Sequence, residues 1–317
     1  MDRRTRWGLV FGFGIGAGVA VQSRINGALG ARLQDGIAAA VVSFATGLLV
    51  LAAVFAVSGR LRGQVGAVWH AVRGGELRPW QLLGGVFGAL FVGCQGLTVG
   101  AIGVTAFTVA AVAGQLVSSL LVDRLGVAPS GRAAVTGTRI AGAALAVAAV
   151  LLAGTQRADG SQGALALPDS VRHLPTVLLI VLPALAGIGL AWQQAVNGRV
   201  GAVGGPISAA LVNFAVGLVV LVALETLVLA TVGGPAEFPA EPWLYLGGII
   251  GVAFIALAAL TVRWISVLLL GLTSVAGQLT MALVLDLALP TGRGLSPLSV
   301  LGCLLTLTAV GIAARRS

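Results

Sequence analysis

The sequence predicts an all-α polytopic membrane protein: ten transmembrane helices built as two inverted five-helix repeats (5+5), with both termini in the cytoplasm. Three observations predict this. The 317 residues are 58% hydrophobic and only 9% charged, where a soluble domain carries about a quarter charged residues. Apolar runs near the roughly 20 residues needed to cross a bilayer recur along the whole chain. The chain also repeats itself, most closely over 79–123 and 242–286, where about 19 of 45 positions are identical without a gap.

In chain order the predicted spans are 8–27, 36–57, 80–99, 101–122, 138–154, 176–196, 206–231, 243–262, 264–285 and 295–314. The first follows Arg3, Arg4 and Arg6, a pattern that also suits a secretory leader, but the first run belongs to a repeated unit and is therefore kept as a span. The third and eighth open on Pro79-Trp80 and Pro242-Trp243, tryptophans expected at the interface. Almost nothing joins the third span to the fourth, or the eighth to the ninth. The halves so defined are 1–154 and 176–317, with an outer linker at 155–175.

Orientation follows from the arginines, which supply all 19 basic residues. With the N-terminus inside, one face receives Arg3, Arg4, Arg6, Arg60, Arg62, Arg73, Arg78, Arg124, Arg132, Arg139, Arg199, Arg263, Arg315 and Arg316. The other receives Arg32, Arg157, Arg172 and Arg293. Fourteen against four places both termini in the cytoplasm, and the net charge of +9 reports topology rather than a nucleic-acid partner. The 47 glycines suit helices that pack closely in lipid, and Gly14, Gly18, Gly84, Gly88, Gly247 and Gly251 stand at small-xxx-small spacing as packing notches.

Several chemistries are excluded. Cys94 and Cys303 lie in apolar runs and read as core residues. His70 and His173 have no second ligand at metal spacing, so no metal or cofactor is expected. The glycines at 12, 14, 16 and 18 lack both the dinucleotide spacing and a following Gly-Lys-Ser/Thr.

The repeat fixes the architecture. Val21-Gln22-Ser23-Arg24-Ile25-Asn26-Gly27 matches Trp192-Gln193-Gln194-Ala195-Val196-Asn197-Gly198, and Ser43-Phe44-Ala45-Thr46-Gly47 matches Asn213-Phe214-Ala215-Val216-Gly217. Val112-Ala113-Gly114-Gln115-Leu116 matches Val275-Ala276-Gly277-Gln278-Leu279, and Asp123 matches Asp286. Five spans per copy is an odd number, so the second copy must be inverted, as in secondary transporters. The paired Gln-x-x-x-Asn-Gly motif after a glycine-rich helix, followed by Phe-x-x-Gly, resembles the YdcZ-type (DUF606) branch of the drug/metabolite transporter (DMT) superfamily. The resemblance covers nearly the whole chain and implies ten helices in two inverted halves, transporting small molecules across the bacterial inner membrane.

Polar side chains within spans mark the candidate pathway, with hydrogen-bonded helix contacts as the competing role. Gln115 and Gln278 lie roughly 5 Å from the middle of equivalent helices. Gln22 and Asn26, and likewise Gln193 and Asn197, are four residues apart and share a helix face. Both Asn-Gly pairs also read as helix C-termini. Arg24 and Glu225 each sit about 10 Å from the middle of their spans. They can pair with each other or snorkel to the interface; alternatively Arg24 receives an anionic substrate group and Glu225 a proton or cation. Asp123 and Asp286 end equivalent helices on opposite faces, where the macrodipole opposes them. They must be paired, with Arg124 and Arg293 as candidates, or cap the next element, and by symmetry they could brace two gates.

The expected function is a multi-pass secondary transporter of the bacterial inner membrane, exporting a small metabolite or drug-like compound by alternating access. The alternative is a non-transporting membrane scaffold or sensory partner of another chain. No paired carboxylates, Ser/His set or metal ligands converge in the spans, so enzyme activity is not expected. The expected partners are the lipid bilayer and a small molecule of undetermined charge, with a homodimer compatible and no nucleic acid.

Overall fold

The computed structural model describes residues 3–127, 176–261 and 267–289, together with Trp264 and scattered positions between 129 and 148 and between 297 and 308. The predicted linker at 155–175 lies outside the described residues, and the predicted spans at 138–154 and 295–314 are described only in part.

Every element among the described residues is helical, as expected of a chain whose backbone polar groups must be satisfied within lipid. The helices are α1 (Arg3–Leu33), α2 (Gly36–Val57), α3 (Gly59–Arg73), α4 (Gly84–Leu125), α5 (Thr176–Gly204), α6 (Pro206–Thr231), α7 (Gly247–Thr261) and α8 (Val267–Ala288). Two 3₁₀ turns, Pro79–Leu82 and Pro242–Tyr245, precede α4 and α7 at equivalent places in the repeat. Trp80 and Trp243 are exposed on these turns. Six helical segments are long and apolar enough to cross a membrane, and a shorter apolar helix covers 247–258. The second and seventh predicted spans coincide with α2 and α6.

Local chemistry sets the breaks. α1 ends at Gln34, whose φ is 53°, and buried Asp35 caps α2 by accepting from the backbone N–H groups of Ile37 (2.9 Å) and Ala38 (3.0 Å). The third and fourth predicted spans form one continuous element, α4, broken internally at Gly103 (φ 78°, ψ 162°). That conformation is open to glycine and strained for other residues, so one residue suffices as a connection. Limbs 84–102 and 104–125 are each about 30 Å long at 1.5 Å per residue. α4 then stops at Gly126 (φ 68°). α3 is an element not anticipated among the spans. Its Val68 and Ala71 are buried with Val200 and Ala209 of α5 and α6.

The halves pack through reciprocal contacts. Phe44 of α2 and Phe214 of α6 are repeat-equivalent and touch each other, with ring centroids 4.9 Å apart. Gly47 leaves room for the Phe214 ring and Gly217 for the Phe44 ring. α1 crosses α8 where a Cβ on Gly16 would collide with the Ser274 carbonyl and one on Gly277 with the Phe13 carbonyl. α5 crosses the second limb of α4 at the equivalent residues: Gly187 meets the Ala111 carbonyl and Gly114 the Ala184 carbonyl. Small residues let backbones approach this closely, and dispersion then holds them.

The glycine notches differ in part from expectation. Gly84, Gly88, Gly247 and Gly251 are notches, each crowded by an amide side chain of the other half. Gly14 has open space around it and Gly18 only ordinary contacts near 4 Å. Gly12 and Gly16, offset by two residues on α1, are the ones pressed against α8.

Candidate functional site

The apolar interior contains several hydrogen-bonded groups of amide side chains, most of them buried. On α1, Gln22 Nε2 donates to the Gly247 carbonyl (2.8 Å) and Asn26 Nδ2 to Gln95 Oε1 (2.7 Å). Gln95 Nε2 in turn donates to Ser23 Oγ (2.8 Å). On α5 the equivalent residues use a different partner. Gln193 Nε2 (2.8 Å) and Asn197 Nδ2 (3.0 Å) both donate to Asn213 Oδ1 on α6. Each such bond contributes about 0.6 to 2 kcal/mol in a membrane interior.

These bonds correct one reading of the asparagines. α1 runs on to Leu33 and α5 to Gly204, and neither Gly27 nor Gly198 has positive φ, so Asn26 and Asn197 are helix-interior residues rather than C-caps. Asn26 Oδ1 rests against Gly247 and Asn197 Oδ1 against Gly84, where any Cβ would collide with them. The glycine that follows each asparagine serves packing instead of capping: a Cβ on Gly27 would collide with Val99 and one on Gly198 would press on Pro129, while the asparagine itself needs the glycine on the facing helix.

Gln115 and Gln278 are both buried, at 8% and 3% exposure. Gln115 Nε2 donates to Oε1 of the exposed Gln194 (3.3 Å). The residue equivalent to Gln194 is Ser23, which bonds Val19 and Gln95 instead. Gln278 Nε2 has no partner among the described residues. A buried amide N–H without a partner costs about 1–3 kcal/mol, so this donor is available to an incoming polar group. The hydroxyls of Thr105 and Thr108, at the start of the second limb of α4, are also buried without partners among the described residues.

Asp286 lies at the break in α4. Its carboxylate accepts from the Thr105 N–H (2.8 Å, Oδ2) and the Val104 N–H (3.3 Å, Oδ1), the first amides after Gly103. The carboxylate therefore caps another helix, where it meets unsatisfied donors and the positive end of a helix dipole. Asp123 is also partnered. Arg293 lies outside the described residues.

Arg24 and Glu225 do not pair with each other. The ion pair among the described residues is Arg32 to Glu241 (3.0 Å), both at the ends of their elements. Arg24 is half-buried on α1, and Glu225 is half-buried on α6 with one carboxylate oxygen enclosed and without a partner among the described residues. Arg62 and Arg199 serve locally: Arg62 donates to the carbonyls of Phe55 and Ala56 at the end of α2, and Arg199 to those of Gly126 and Val127 beyond α4.

Three members of the amide set were not singled out from the sequence. Gln95 is a polar residue inside a predicted span and Asn213 opens the second copy of the repeated Phe-Ala-x-Gly segment, where the first copy has Ser43, so both carried a signal. Gln194 is distinguished only by its partner Gln115.

The family model described as "Putative inner membrane exporter, YdcZ" matches residues 7–152 and 178–312. A protein of known crystal structure is 19% identical over 98% of this chain and 97% of that chain, with a TM-score of 0.54, and so shares the fold. No curated protein matches.

Proposed function

This chain belongs to the YdcZ family of the DMT superfamily, inner membrane exporters, and we propose on that premise that it exports a small molecule by alternating access. In this reading ten helices form two inverted five-helix halves, 1–154 and 176–317, joined by an outer linker, with both termini cytoplasmic. The reciprocal packing supports it most directly. Gly16 and Gly277 between α1 and α8 repeat as Gly187 and Gly114 between α5 and α4, so two equivalent interfaces are available to exchange conformations.

The substrate path runs past Gln115 and Gln278, whose amides offer donors and acceptors without a charge penalty. Gln22, Asn26, Gln193 and Asn197 hold the lining helices in register through the bonds described above. Arg24 meets an anionic group of the substrate, and Glu225 carries a coupling proton or cation. Asp286 closes one end of the path by capping the second limb of α4. By the 163-residue offset, Asp123 does the same at the opposite end for the start of α8, residues 267 and 268.

A thermal-shift screen of small organic anions and cations on the detergent-solubilised protein identifies the charge class, since a ligand of the native state raises its stability. Hits should then show saturable flux into liposomes, and Gln115→Ala and Gln278→Ala should each lower that flux about tenfold, the effect of losing roughly 1.4 kcal/mol. Undiminished flux in both variants would remove the two glutamines from the path.

A further inference from the structure

We propose that the outer face of α3 is a docking site for the headgroup of an anionic phospholipid. α3 joins α2 to α4, two elements apolar enough to cross the membrane, so it lies where the chain turns at a membrane surface. Its inner face is committed to protein: Val68 and Ala71 are buried, and Val68 and Gln64 cover the α5–α6 turn at Gly204 and Gly205. The opposite face carries Arg62, Gly66, Trp69 and Arg73, spaced 4, 3 and 4 residues apart and therefore on one stripe.

The chemistry of that stripe matches a headgroup. The Arg73 guanidinium lies over the Trp69 ring at 4.8 Å from its centroid, which holds a cation beside an aromatic side chain that is 54% exposed. Among the described residues Arg73 is exposed and makes no hydrogen bond to the protein, whereas Arg62 is held by the α2 carbonyls. Gly66, on this stripe one turn before Trp69, has open space where a Cβ would stand. No protein contact asks for glycine there, in a helix interior that favours alanine. The bare backbone beside Trp69 leaves room for a headgroup phosphate to reach the Arg73 guanidinium.

The repeat supplies an internal control. Its offset falls from 170 residues (Gly47 with Gly217) to 163 (Gly84 with Gly247), so the first half carries seven extra residues in this connection. The equivalent connection after α6 has no α-helix and carries Glu237 and Glu241 instead. The α3 face is thus an addition to the first half, with the charge that attracts acidic lipid.

The test titrates the detergent-solubilised full chain with dioctanoyl phosphatidylglycerol, dioctanoyl phosphatidylcholine and glycerol phosphate. The wild type should bind the phosphatidylglycerol, and Arg73→Gln should weaken it about fivefold, the size of one surface cation, while Arg60→Gln, off the stripe, should leave it unchanged. Arg73→Lys should retain most of the affinity. Equal affinity of the wild type and Arg73→Gln, an equal loss in Arg60→Gln, or equal binding of phosphatidylcholine would overturn the proposal. Glycerol phosphate binding as tightly as the lipid would overturn it too, by showing a free phosphate site. Arg73 makes no hydrogen bond among the described residues whose loss could unfold the chain, and Arg73→Gln against Arg73→Lys separates loss of charge from loss of packing.

Discussion

The carboxylate of Asp286 accepts the backbone N–H of Thr105 at 2.8 Å, joining residues that lie 181 positions apart. Asp286 ends α8 in the second half, and Thr105 begins the second limb of α4 in the first. The contact therefore ties the two halves together at the one place where α4 leaves helical geometry, Gly103. It also settles why an acidic residue ends α8 against its own dipole: the same carboxylate stabilises the start of a neighbouring helix.

Removing this cap should cost about 0.5–2 kcal/mol. Asp286→Ala is expected to lower the unfolding free energy in detergent by that amount, whereas Asp286→Asn, which keeps an acceptor oxygen, should lose clearly less. Identical stability of the alanine variant and the wild type would mean the contact does not hold in solution.

The notch glycines predict a contrast along one helix. Gly16→Ala and Gly277→Ala place a methyl group on a backbone carbonyl and should destabilise by about 1–3 kcal/mol through overpacking. Gly14→Ala enters open space and should stabilise by up to about 1 kcal/mol. Thermal unfolding of the three variants measures this, and equal shifts would contradict the packing of α1 on α8.

Amide coupling should be local and asymmetric. A double-mutant cycle between Asn26 and Gln95 is expected to give about 0.6–1.7 kcal/mol of coupling. The cycle between the equivalent positions, Asn197 and Ala258, should give none, because Asn213 holds Asn197 instead. Additive behaviour in the first cycle would rule out the Asn26–Gln95 bond.

The ion pair between Arg32 and Glu241 should matter little. Its side chains are 61% and 38% exposed, so Glu241→Gln is expected to change stability by less than about 1 kcal/mol, and less still at high salt. A large, salt-insensitive loss would show that the loop it tethers is buried by something else.

The sequence made the helical fold and the repeat legible because both depend on patterns that survive in one dimension. Span length fixed α2 and α6 to the residue. The 163-residue offset identified Asp123 with Asp286 and Gln115 with Gln278. What did not show was pairing across the halves. Spacing ranks Gly14 and Gly18 equally with Gly12 and Gly16, and only the rotation of α1 against α8 distinguishes them. Gln22 and Asn26 share a face in the sequence, but that they meet Gly247, Gly251 and Gln95 depends on which helices adjoin α1. α3 was missed because a helix of 15 residues, interrupted by glycines, is too short and too polar to resemble a span.

The central claim is that the two halves exchange conformations around Gln115 and Gln278, and it can be tested without knowing the substrate. Cysteines at these two positions, in a Cys94→Ser/Cys303→Ser background, are labelled with a membrane-impermeant thiol reagent from each side of sealed vesicles. The measurement is repeated with a reversible disulfide between Thr105→Cys and Asp286→Cys. Alternating access predicts labelling of both positions from both sides, confined to one side by the disulfide and restored by reduction. Labelling from a single side whether or not the disulfide is present would contradict it.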